Sequence, residues 1–376
     1  MKDTFGNVQT LQTSASGELV KTGSSRPPKV AVAGVSGYAG GELARLLLRH
    51  PGMAGLAPLF LGRAGETSSA TTIEAIHPQL AAIGVNTSHT VEPFHWERLA
   101  DAGIEILFMA TPHEQSREWA PEAIARGIRV IDLSGAWRLH EAHNREVYKL
   151  HDADPAIAAE LQKEAVYGCA ELHSDAIRSA RLVANPGCYS TSIILALAPL
   201  VQAGVIDIEH GIVCDAKSGV SGAGKAPTSK THFMYAADNL SAYAVFGHRH
   251  TGELLEQLHL SADQIQFTPH LLPIPRGILS TIYLRLKQQM SPAEVSSVFA
   301  EFYKSSPLVR LHATPQLPQI QHVVHTNFCD LGFALAENGR KLIVVSCLDN
   351  LLKGAAGQAI QNMNLMSGWK EEEGLL

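Results

Sequence analysis

The stretch KVAVAGVSGYAGGELARLLLRHP, residues 29–51, decides the fold. It begins with a short apolar run of the kind found in strands that are buried within parallel sheets. A glycine turn follows, and after it Leu43, Leu46 and Leu47 lie on one face of a helix that ends at Pro51. A strand, a glycine turn and a helix in this order indicate the start of a Rossmann-type, doubly wound α/β domain.

The glycine turn carries Gly34, Gly37 and Gly40 at GxxGxxG spacing, which departs from the commoner GxGxxG. Glycines in such a turn let the backbone approach a pyrophosphate, and the N-terminus of the following helix favours negative charge. The position between a strand and a helix supports dinucleotide binding, whereas a tight turn without a ligand is the alternative. We therefore predict that these glycines contact a dinucleotide cofactor.

The end of the second strand indicates which dinucleotide is bound. An acidic residue there would bind the ribose hydroxyl of NAD, and an arginine would suit the 2′-phosphate of NADP. In LFLGRAGETSS, Arg63 follows the strand and the first acid is Glu66. We predict NADP with Arg63 among its ligands, and a solvated loop arginine is the alternative.

Strands and helices continue to alternate after this stretch, as in a parallel sheet covered by helices. Residues 140–186 show no regular pattern, and from Gly211 the strands become longer, with a helix that Ser291 would cap. These features predict a second, α+β domain for catalysis and oligomerisation, with an open and largely antiparallel sheet. The expected division is a disordered tail (1–28), an NADP-binding domain (29–187) completed by a C-terminal helix (350–368), and a catalytic and substrate-binding domain (188–349).

Composition narrows the class of protein. The chain has 376 residues and a formal net charge of −6, so nothing suggests a nucleic-acid or membrane-surface partner. No apolar run reaches the roughly 18 residues of a membrane span, and the N-terminus lacks the apolar region of a secretory signal. The five cysteines are irregularly spaced and form no CxxC pair, which argues against disulfides and a zinc cluster. We expect a cytoplasmic protein that acts on a small molecule and holds no metal.

One cysteine lies where a reactive thiol is expected. LVANPGCYSTSIILALAPLVQAG, residues 182–204, puts Cys188 between a Pro-Gly turn and a helix. The helix dipole and the free N–H groups of the first turn lower the pKa of a thiol, and the thiolate is the nucleophile. We predict that Cys188 is nucleophilic and has a lowered pKa. A packing role is the alternative, and it is the preferred interpretation for the other four cysteines.

A reactive cysteine usually needs an acid–base partner, and the segment VFGHRHTGELLEQL offers His248 and His250. In an extended segment these two side chains would point in opposite directions, so we expect only one of them to face the thiol. The residues leave open which one it is. A zinc site is disfavoured because no third ligand stands at metal spacing, and a surface pair of histidines is the other alternative.

Three segments are candidates for binding an anionic substrate. DAKSGVSGAGKAP exposes backbone N–H groups around Ser218 and Gly219 and adds the charge of Lys225, as in a phosphate-binding nest. HLLPIPRGILST holds Arg276 in a bend rich in proline and glycine, and DLSGAWRL carries Arg138. Either guanidinium would suit a carboxylate or a phosphate. Ordinary surface loops are the alternative for each segment.

Six stretches together resemble the N-acetyl-gamma-glutamyl-phosphate reductase family, and the resemblance runs from about Lys29 to Gly368. They are GVSGYAGGEL, ANPGCYST, AKSGVSGAGK, GHRHTGE, PHLLPIPRGI and LDNLLKGAAGQAIQNMN. The wider group includes aspartate-semialdehyde dehydrogenases and shares the reduction of an acyl phosphate by means of a cysteine. A large sheet in the second domain would in addition support a homo-oligomer, either a dimer or a tetramer.

The resemblance also implies roles for individual residues. By resemblance, Cys188 is the nucleophile, and His248 and His250 supply acid–base and substrate contacts. The implied cofactor contacts are Gly34, Ser36, Gly37 and Tyr38, with Asn350 and Lys353 near the cofactor. Three places depart from the family: Ser190 stands where it usually has proline, Ala136 where it more often has an acid, and VYGCAE, residues 166–171, where it usually has VYGLPE. These departures affect the helix start and the substrate pocket rather than the type of reaction.

The implied reaction is the NADPH-dependent reduction of N-acetyl-glutamyl 5-phosphate to the 5-semialdehyde and phosphate, a step of arginine biosynthesis. Cys188 would form a thioester with the acyl group, and backbone N–H groups at the helix start would stabilise the oxyanion. Aspartyl phosphate and a carrier-bound aminoadipyl phosphate are alternative substrates, and the net charge of −6 disfavours an acidic carrier. An NADP-binding protein without catalysis is the alternative from another class, and it leaves Cys188 and the histidines without a role.

Overall fold

The computed structural model describes residues 26–53, 55–62, 71–81, 83 and 88–376. Seven strands of the first domain form one sheet: β1 (Val30–Ala33), β2 (Leu59–Gly62), β3 (Val91–Pro93), β4 (Ile106–Met109), β5 (Arg129–Asp132), β6 (Val166–Tyr167) and β7 (Leu182–Ala184). All strand pairs are parallel, in the order β3-β2-β1-β4-β5-β7-β6. The chain leaves β1 on one side and returns to its other side at β4, which confirms the predicted doubly wound fold.

Helices cover this sheet on both faces. They are α1 (Tyr38–Arg49), α2 (Ile73–Ile76), α3 (Trp96–Ala102), α4 (His113–Ala125), α5 (Ala142–Arg145), α6 (Pro155–Glu164) and α7 (Ala170–Ser179). On one face, Leu43 and Leu47 of α1 share a hydrophobic core with Ile177 of α7. On the other face, Leu99 of α3 shares a core with Leu161 of α6. The apolar residues of β1 are therefore buried on both sides, as its composition predicts.

The structure differs from the sequence prediction in residues 140–186, which are largely regular. Asp154 caps α6, because its side chain accepts hydrogen bonds from the N–H groups of Ala156 and Ile157, and Pro155 is the first helical residue. This Asp-Pro signal is present in the sequence. Helix α7 is harder to recognise, because its backbone is not helical at His173.

The second domain is a sheet with helices on one side. Its strands are β8 (Ile212–Gly219), β9 (Ser241–Ala242), β10 (Ile265–Leu272), β11 (Ile278–Arg285), β12 (Val309–Leu311), β13 (Cys329–Leu335) and β14 (Lys341–Leu348), in the order β12-β13-β14-β11-β8-β10-β9. The pairs β8–β10 and β12–β13 are parallel and the other four are antiparallel, which confirms the expected largely antiparallel sheet.

The remaining helices are α8 (Cys188–Gln202), α9 (Phe233–Ala236), α10 (Thr251–Leu258), α11 (Pro292–Tyr303) and α12 (Gly357–Met366). Helix α8 is apolar on nearly all sides and packs between the second sheet and its neighbouring helices. Ser291 caps α11 in a capping box with Glu294, as predicted for the cap. Ile360 and Met363 of α12 join the core of α1, so the chain end returns to the first domain.

Three further expectations concern the N-terminal tail, a membrane span and a metal site. Residues 1–25 of the predicted tail lie outside the described residues, whereas Arg26 pairs with Glu105 at 2.8 Å. None of the described helices is long and apolar enough to cross a membrane. Within the described ranges, no group of three or more histidine, cysteine, aspartate or glutamate side chains is arranged to hold a metal ion.

Candidate active site

A cavity of about 680 Å³ lies between the two domains, at the carboxyl ends of β1, β4 and β5. This is the edge of an open α/β sheet at which ligands bind. Residues 37–40, 110–113 and 133–135 line it from the first domain, and residues 186–189, 221–225 and 247–250 line it from the other side. Ten of the predicted site residues line this cavity: Gly37, Tyr38, Gly40, Arg138, Cys188, Ser218, Lys225, His248, His250 and Asn350.

The glycine turn lies between β1 and β4, where the strand order reverses. Gly34 ends the strand with φ of +83°, a left-handed conformation that glycine adopts without strain. Gly37 is the N-cap of α1 and has no side chain that could cap the helix, so the first N–H groups of α1 can bind an anion. Gly34 and Ser36 lie outside the cavity lining, and the carbonyl oxygen of Ser36 accepts a hydrogen bond from Lys225 at 3.2 Å.

Arg63 and Asn350 are two further residues that the sequence predicts near the cofactor. Arg63 lies outside the described residues, so the structure says nothing of its contacts. Asn350 is buried at the cavity wall, where its Oδ1 accepts a hydrogen bond from the Gly277 N–H at 2.7 Å and its Nδ2 donates to Ser221 Oγ at 2.9 Å. Asn350 therefore braces the loop that follows β8.

Cys188 is the first residue of α8, and Gly187 is the N-cap. The thiol is partly buried and lines the same cavity as the glycine turn. No side chain caps α8, so N–H groups of its first turn remain available to a developing oxyanion near the thiol. The position agrees with the arrangement that the sequence predicts.

The predicted lowering of the Cys188 pKa is wrong. Burial raises the pKa of the Cys188 thiol, and the charges of Arg249 and Arg138 and the Tyr189 N–H oppose only part of this rise. The cost of removing a thiolate from water outweighs the effect of the helix terminus here. At neutral pH the group is therefore a thiol, and attack requires a base that takes its proton.

A buried carboxylate, Glu253, holds the turn before Cys188. Its Oε2 accepts hydrogen bonds from the Gly187 N–H at 2.9 Å and the Tyr167 hydroxyl at 2.7 Å, and its Oε1 pairs with Arg138 at 3.2 Å. The sequence pattern around Glu253 indicates no functional role for it. No local signal reveals these contacts, because Glu253 and Gly187 lie 66 residues apart in the chain.

Arg138 lines the cavity and is also anchored. Its guanidinium donates to the carbonyl oxygens of Asn185 and Leu133, both at 2.8 Å, and to Glu253. These bonds use three of the five N–H groups of an arginine. The Tyr148 hydroxyl also contacts the guanidinium, so Arg138 is held in a fixed orientation at the cavity wall.

Both histidines line the cavity that Cys188 also lines. Residues 244–250 form turns instead of an extended segment, and the ring centroids of His248 and His250 are 4.7 Å apart. The backbone N–H of His250 donates to Nδ1 of His248 at 3.1 Å. Because His248 Nδ1 accepts this bond, its proton is on Nε2 when the ring is neutral.

His250 lies against the catalytic turn. A Cβ atom added at Gly187 would lie 2.5 Å from His250 Nε2, so only glycine lets the ring approach the residue before Cys188. His250 is buried, and its Nδ1 has no hydrogen-bond partner among the described residues. The ring therefore lies against the residue before the nucleophile and has an uncommitted nitrogen.

Both imidazoles are held in the neutral form. Burial, and after it the charge of Arg249, lowers the pKa of His248 to about 4. Burial also lowers the pKa of His250 well below its ordinary value, and the neighbouring His248, Arg138 and Arg249 lower it further. A neutral imidazole can accept a proton, so the site combines a protonated thiol with neutral bases.

Ser218 and Gly219 end β8 next to the cavity, and only Ser218 lines it. The Gly219 N–H donates to the Gly277 carbonyl at 2.9 Å, which joins two strand ends beneath the loop. Lys225, at the far end of the loop, crosses to the glycine turn of the first domain. The predicted nest therefore contributes Ser218 and residues 221–225 to the cavity lining. Gly219 does not line the cavity and instead fixes the end of β8 through its hydrogen bond to Gly277.

The structure does not bring Arg276 into the cavity. Its guanidinium donates to Glu42 of α1 at 3.0 Å, and its Nε lies 3.3 Å from the carboxylate of Asp349. These contacts join the second domain to the first helix. Arg276 thus pairs with carboxylates of the chain itself and does not line the cavity.

Two models of protein families match the chain. One is described as "Semialdehyde dehydrogenase, NAD binding domain" and matches residues 29–180. The other is described as "Semialdehyde dehydrogenase, dimerisation domain" and matches residues 188–350.

Curated relatives are similar over nearly the whole chain. An N-acetyl-gamma-glutamyl-phosphate reductase of Bacillus cereus is 40% identical over 350 residues, which cover 92% of this chain and 98% of the relative. One of Symbiobacterium thermophilum with the same name is 42% identical over 356 residues, 93% of this chain and 97% of the relative.

Solved structures share the fold at lower identity. The aspartate semialdehyde dehydrogenase II of Vibrio cholerae, in complex with ASA, has a TM-score of 0.67 at 19% identity and covers 91% of this chain and 98% of its own. A probable aspartate-semialdehyde dehydrogenase of Pseudomonas aeruginosa has a TM-score of 0.64 at 20% identity, with 91% and 98% coverage.

Proposed function

Since the chain belongs to the N-acetyl-gamma-glutamyl-phosphate reductase family, we propose that it reduces N-acetyl-L-glutamyl 5-phosphate to N-acetyl-L-glutamate 5-semialdehyde and phosphate. The observation that carries the proposal is that one cavity joins Cys188, at the start of α8, to the glycine turn of a doubly wound sheet. A nucleophile and a dinucleotide site must share a cavity if a thioester is to be reduced where it forms.

The first half of the reaction is an acyl transfer to Cys188. The sulfur attacks the acyl carbon, the bond from that carbon to the phosphate oxygen breaks, and inorganic phosphate leaves with the electron pair. Burial keeps the Cys188 pKa above its ordinary value, so the thiol must lose its proton before the sulfur can attack. Burial also keeps both histidines neutral, and a neutral imidazole can accept that proton. The product is a thioester on Cys188.

We assign the proton transfer to His250 in preference to His248. His250 lies against Gly187, one residue before the nucleophile, and its Nδ1 has no partner among the described residues. His248 Nδ1 already accepts a hydrogen bond from the His250 backbone. On this proposal, His248 orients the turn and presents an Nε2–H donor to the substrate.

The polar groups around the thiol suit an anionic substrate. Arg138 is held at the cavity wall, and exposed Arg249 adds a second positive charge there. Ser218 and the loop that follows it add hydrogen-bond donors from the second domain. These groups would hold the phosphate and carboxylate of the substrate, and the first-turn N–H groups of α8 would face the oxyanion.

The proposed cofactor is NADPH, which supplies the hydride that reduces the thioester when it is bound. The described residues fit a dinucleotide, because α1 has no side-chain cap and the glycine turn leaves its N-terminus open to a pyrophosphate. The choice of NADP over NAD rests on Arg63 and on the resemblance to the family. After reduction, Cys188 leaves the carbon as the aldehyde forms and regains its proton from the imidazole.

The test is NADP reduction in the reverse direction, with N-acetyl-glutamate 5-semialdehyde as substrate and with phosphate present or absent. We expect reduction that requires phosphate and is much slower with aspartate 4-semialdehyde or with NAD. Preference for the aspartate compound would overturn the substrate, and reduction without phosphate would indicate a hydrolytic aldehyde dehydrogenase. Cys188→Ala should abolish turnover but retain NADPH binding, measured by the fluorescence of the bound cofactor.

A pair of variants tests the assignment of the base. His250→Asn should reduce kcat by roughly 10²- to 10⁴-fold, the usual contribution of a general base, with a smaller loss for His248→Asn. The rate of Cys188 alkylation at fixed pH separates proton transfer from substrate binding. A larger loss of kcat for His248→Asn would reverse the assignment.

A further inference from the structure

A buried histidine, His77, packs against the glycine turn of the first domain. It follows α2, in the segment between β2 and β3, and Ile73 and Leu80 of this segment share a core with α1. The His77 side chain is buried and does not line the cavity. Buried polar side chains are nearly always hydrogen-bonded, so the partner of the ring indicates what the ring does.

The imidazole of His77 is hydrogen-bonded to the main chain of the turn. Its Nε2 lies 2.8 Å from the carbonyl oxygen of Val35, the residue after Gly34. A carbonyl oxygen can only accept, so Nε2 carries a proton and donates. Val35 is fully buried, so the imidazole takes the place of water as the donor to this carbonyl.

Close packing also fixes the ring. A Cβ atom added at Gly41 would lie 2.6 Å from Cε1 of His77, so only glycine at this position of α1 leaves room for the imidazole. Gly40, the residue before it, lies equally close to the turn, because a Cβ atom there would be 2.3 Å from the Gly34 carbonyl oxygen. These two glycines of α1 thus let both the helix and the imidazole approach the turn.

The hydrogen bond from His77 sets the direction of the next N–H group in the chain. The peptide bond between Val35 and Ser36 is trans, so the Ser36 N–H points away from the Val35 carbonyl and hence away from His77. Ser36 is exposed, and its N–H has no hydrogen-bond partner among the described residues. This N–H lies beside the uncapped N-terminus of α1, where a pyrophosphate would bind.

We propose that His77 is a positioning residue of the dinucleotide site, which turns the Val35 carbonyl inward and the Ser36 N–H toward the pyrophosphate of the cofactor. Without the imidazole, the buried carbonyl would have no donor among the described residues, and rotation of the peptide would expose it. The rotated carbonyl oxygen would then face the phosphate oxygens and repel them. The inference rests on the proposed dinucleotide cofactor and not on the proposed substrate.

The test is a fluorescence titration with whichever of NADPH and NADH the wild type binds more tightly. His77→Phe keeps a planar ring against Gly41 and removes the donor, whereas His77→Gln keeps an N–H donor within reach of the Val35 carbonyl. We expect His77→Phe to bind roughly ten- to hundredfold more weakly, the range for the loss of a hydrogen bond to a charged group, and His77→Gln to stay within about threefold of the wild type.

His50→Phe is the matched control. His50 is also a buried histidine, and it follows the other end of α1, where its Nε2 lies 3.0 Å from Asn364 Oδ1. This variant should have a lower free energy of unfolding and an unchanged dinucleotide affinity. Gly41→Ala displaces the ring without changing His77, and it should weaken binding as His77→Phe does. Urea unfolding of each variant establishes that the titrated protein is folded, and Gly41→Ala decides the matter if His77→Phe does not fold.

Wild-type affinity in His77→Phe or in Gly41→Ala would overturn the proposal. An equal loss in His77→Gln would also do so, because the shape of the ring and not its donor would be the cause. An equal loss in His50→Phe would indicate general destabilisation and have the same consequence. The titration contains no substrate, so a wild type that binds the dinucleotide but does not act on the proposed substrate would refute the proposed function alone, whereas a wild type that binds neither dinucleotide would refute this inference as well.

Discussion

Cys188 occupies a site that favours the neutral forms of its ionisable groups. Its thiol pKa lies above the ordinary value of 9.0, and the pKa values of His248 and His250 lie below theirs. Burial is the largest cause in all three. The thiol and the imidazoles therefore stay neutral in the empty site, and the thiol proton moves to an imidazole, with formation of a thiolate–imidazolium pair, only as the sulfur attacks the bound substrate.

This balance predicts how the thiol reacts with iodoacetamide. The rate follows the fraction of thiolate, so it should rise with pH up to 9.0 and beyond, without a plateau near neutral pH. A plateau near pH 7 would contradict the raised pKa. The measurement is the rate of Cys188 labelling by mass spectrometry, with Cys188→Ala as the control for the other four cysteines.

Arg249 lowers the Cys188 pKa through its charge, so removing that charge should slow the labelling. Since Arg249 is exposed and solvent screens it, we expect Arg249→Gln to react roughly two- to fivefold more slowly at pH 8 in low salt. Arg249→Lys, which keeps the charge, should react nearly as fast as the wild type. Equal labelling rates for the glutamine and lysine variants would show that the charge of Arg249 does not influence the Cys188 pKa.

Ser190 is the third residue of α8. It is fully buried in the first turn of α8, and its hydroxyl has no hydrogen-bond partner among the described residues. A buried hydroxyl without a partner costs about 1–3 kcal/mol, so Ser190→Ala should raise the free energy of unfolding by about 1 kcal/mol. Urea unfolding measures the change, and a loss of stability would show that the hydroxyl is satisfied.

Single residues also show what the sequence predicts and what it does not. The start of a helix follows from local signals, so Cys188 stands where the Pro-Gly turn placed it. Its pKa depends on how closely distant segments exclude water, which no local pattern contains. Arg276 fails to reach the cavity for the same reason, because Glu42 and Asp349 come to it from far along the chain.

Among the elements, a short π-helical segment, Leu352–Ala356, packs against the start of α8. A Cβ atom added at Gly354 would lie 2.7 Å from Cys188 Cβ, and the Ala355 carbonyl accepts a hydrogen bond from Asn185 at 3.0 Å. Wide turns of this kind are frequent at functional sites. The segment therefore fixes the position of the residues on both sides of the Pro-Gly turn.

A fully buried ion pair holds this segment. Lys353 Nζ lies 2.5 Å from Glu171 of α7 and donates to Gln361 at 2.7 Å. Removal of one partner leaves a buried charge unpaired, so Lys353→Met should cost about 3–5 kcal/mol of unfolding free energy. Lys353→Met/Glu171→Met should recover much of that loss, because neither charge remains. Urea unfolding measures the free energy of unfolding of both variants. Equal losses in the single and the double variant would show that the unpaired charge is not what destabilises Lys353→Met.

The elements differ in how well the sequence predicts them. Strong apolar runs and clear caps predict β1, α1 and α11. Helices α6 and α7 lack a strong apolar stripe that continues without a break, and α7 is kinked at His173. Their packing against the sheet stabilises them as helices, which is a tertiary effect and not a local one.

At the scale of the whole molecule, the site exists because two domains meet. Arg138 and the glycine turn come from the first domain, whereas Glu253 and the histidines come from the second. The sequence predicts each half from its own motif. It does not contain the distances between the halves, and so the contacts of Glu253 with Arg138 and Gly187 emerge only in the structure. The Arg276–Glu42 pair joins the same two domains outside the cavity.

Lys225 provides the last prediction, because it is the cation of the second domain that reaches the glycine turn of the first. Its Nζ lies 3.2 Å from the Ser36 carbonyl, next to the uncapped N-terminus of α1. A pyrophosphate at that terminus would come within reach of the ammonium group. Lys225→Gln should therefore bind NADPH roughly three- to tenfold more weakly in low salt, with little change in kcat, and the difference should shrink as salt is added.

Fluorescence titration measures the affinity, with Lys225→Arg as the variant that keeps the charge and Lys287→Gln, outside the cavity lining, as the control. An unchanged affinity in Lys225→Gln would mean that the cofactor is held by the first domain alone, and the loop after β8 would then serve the substrate only.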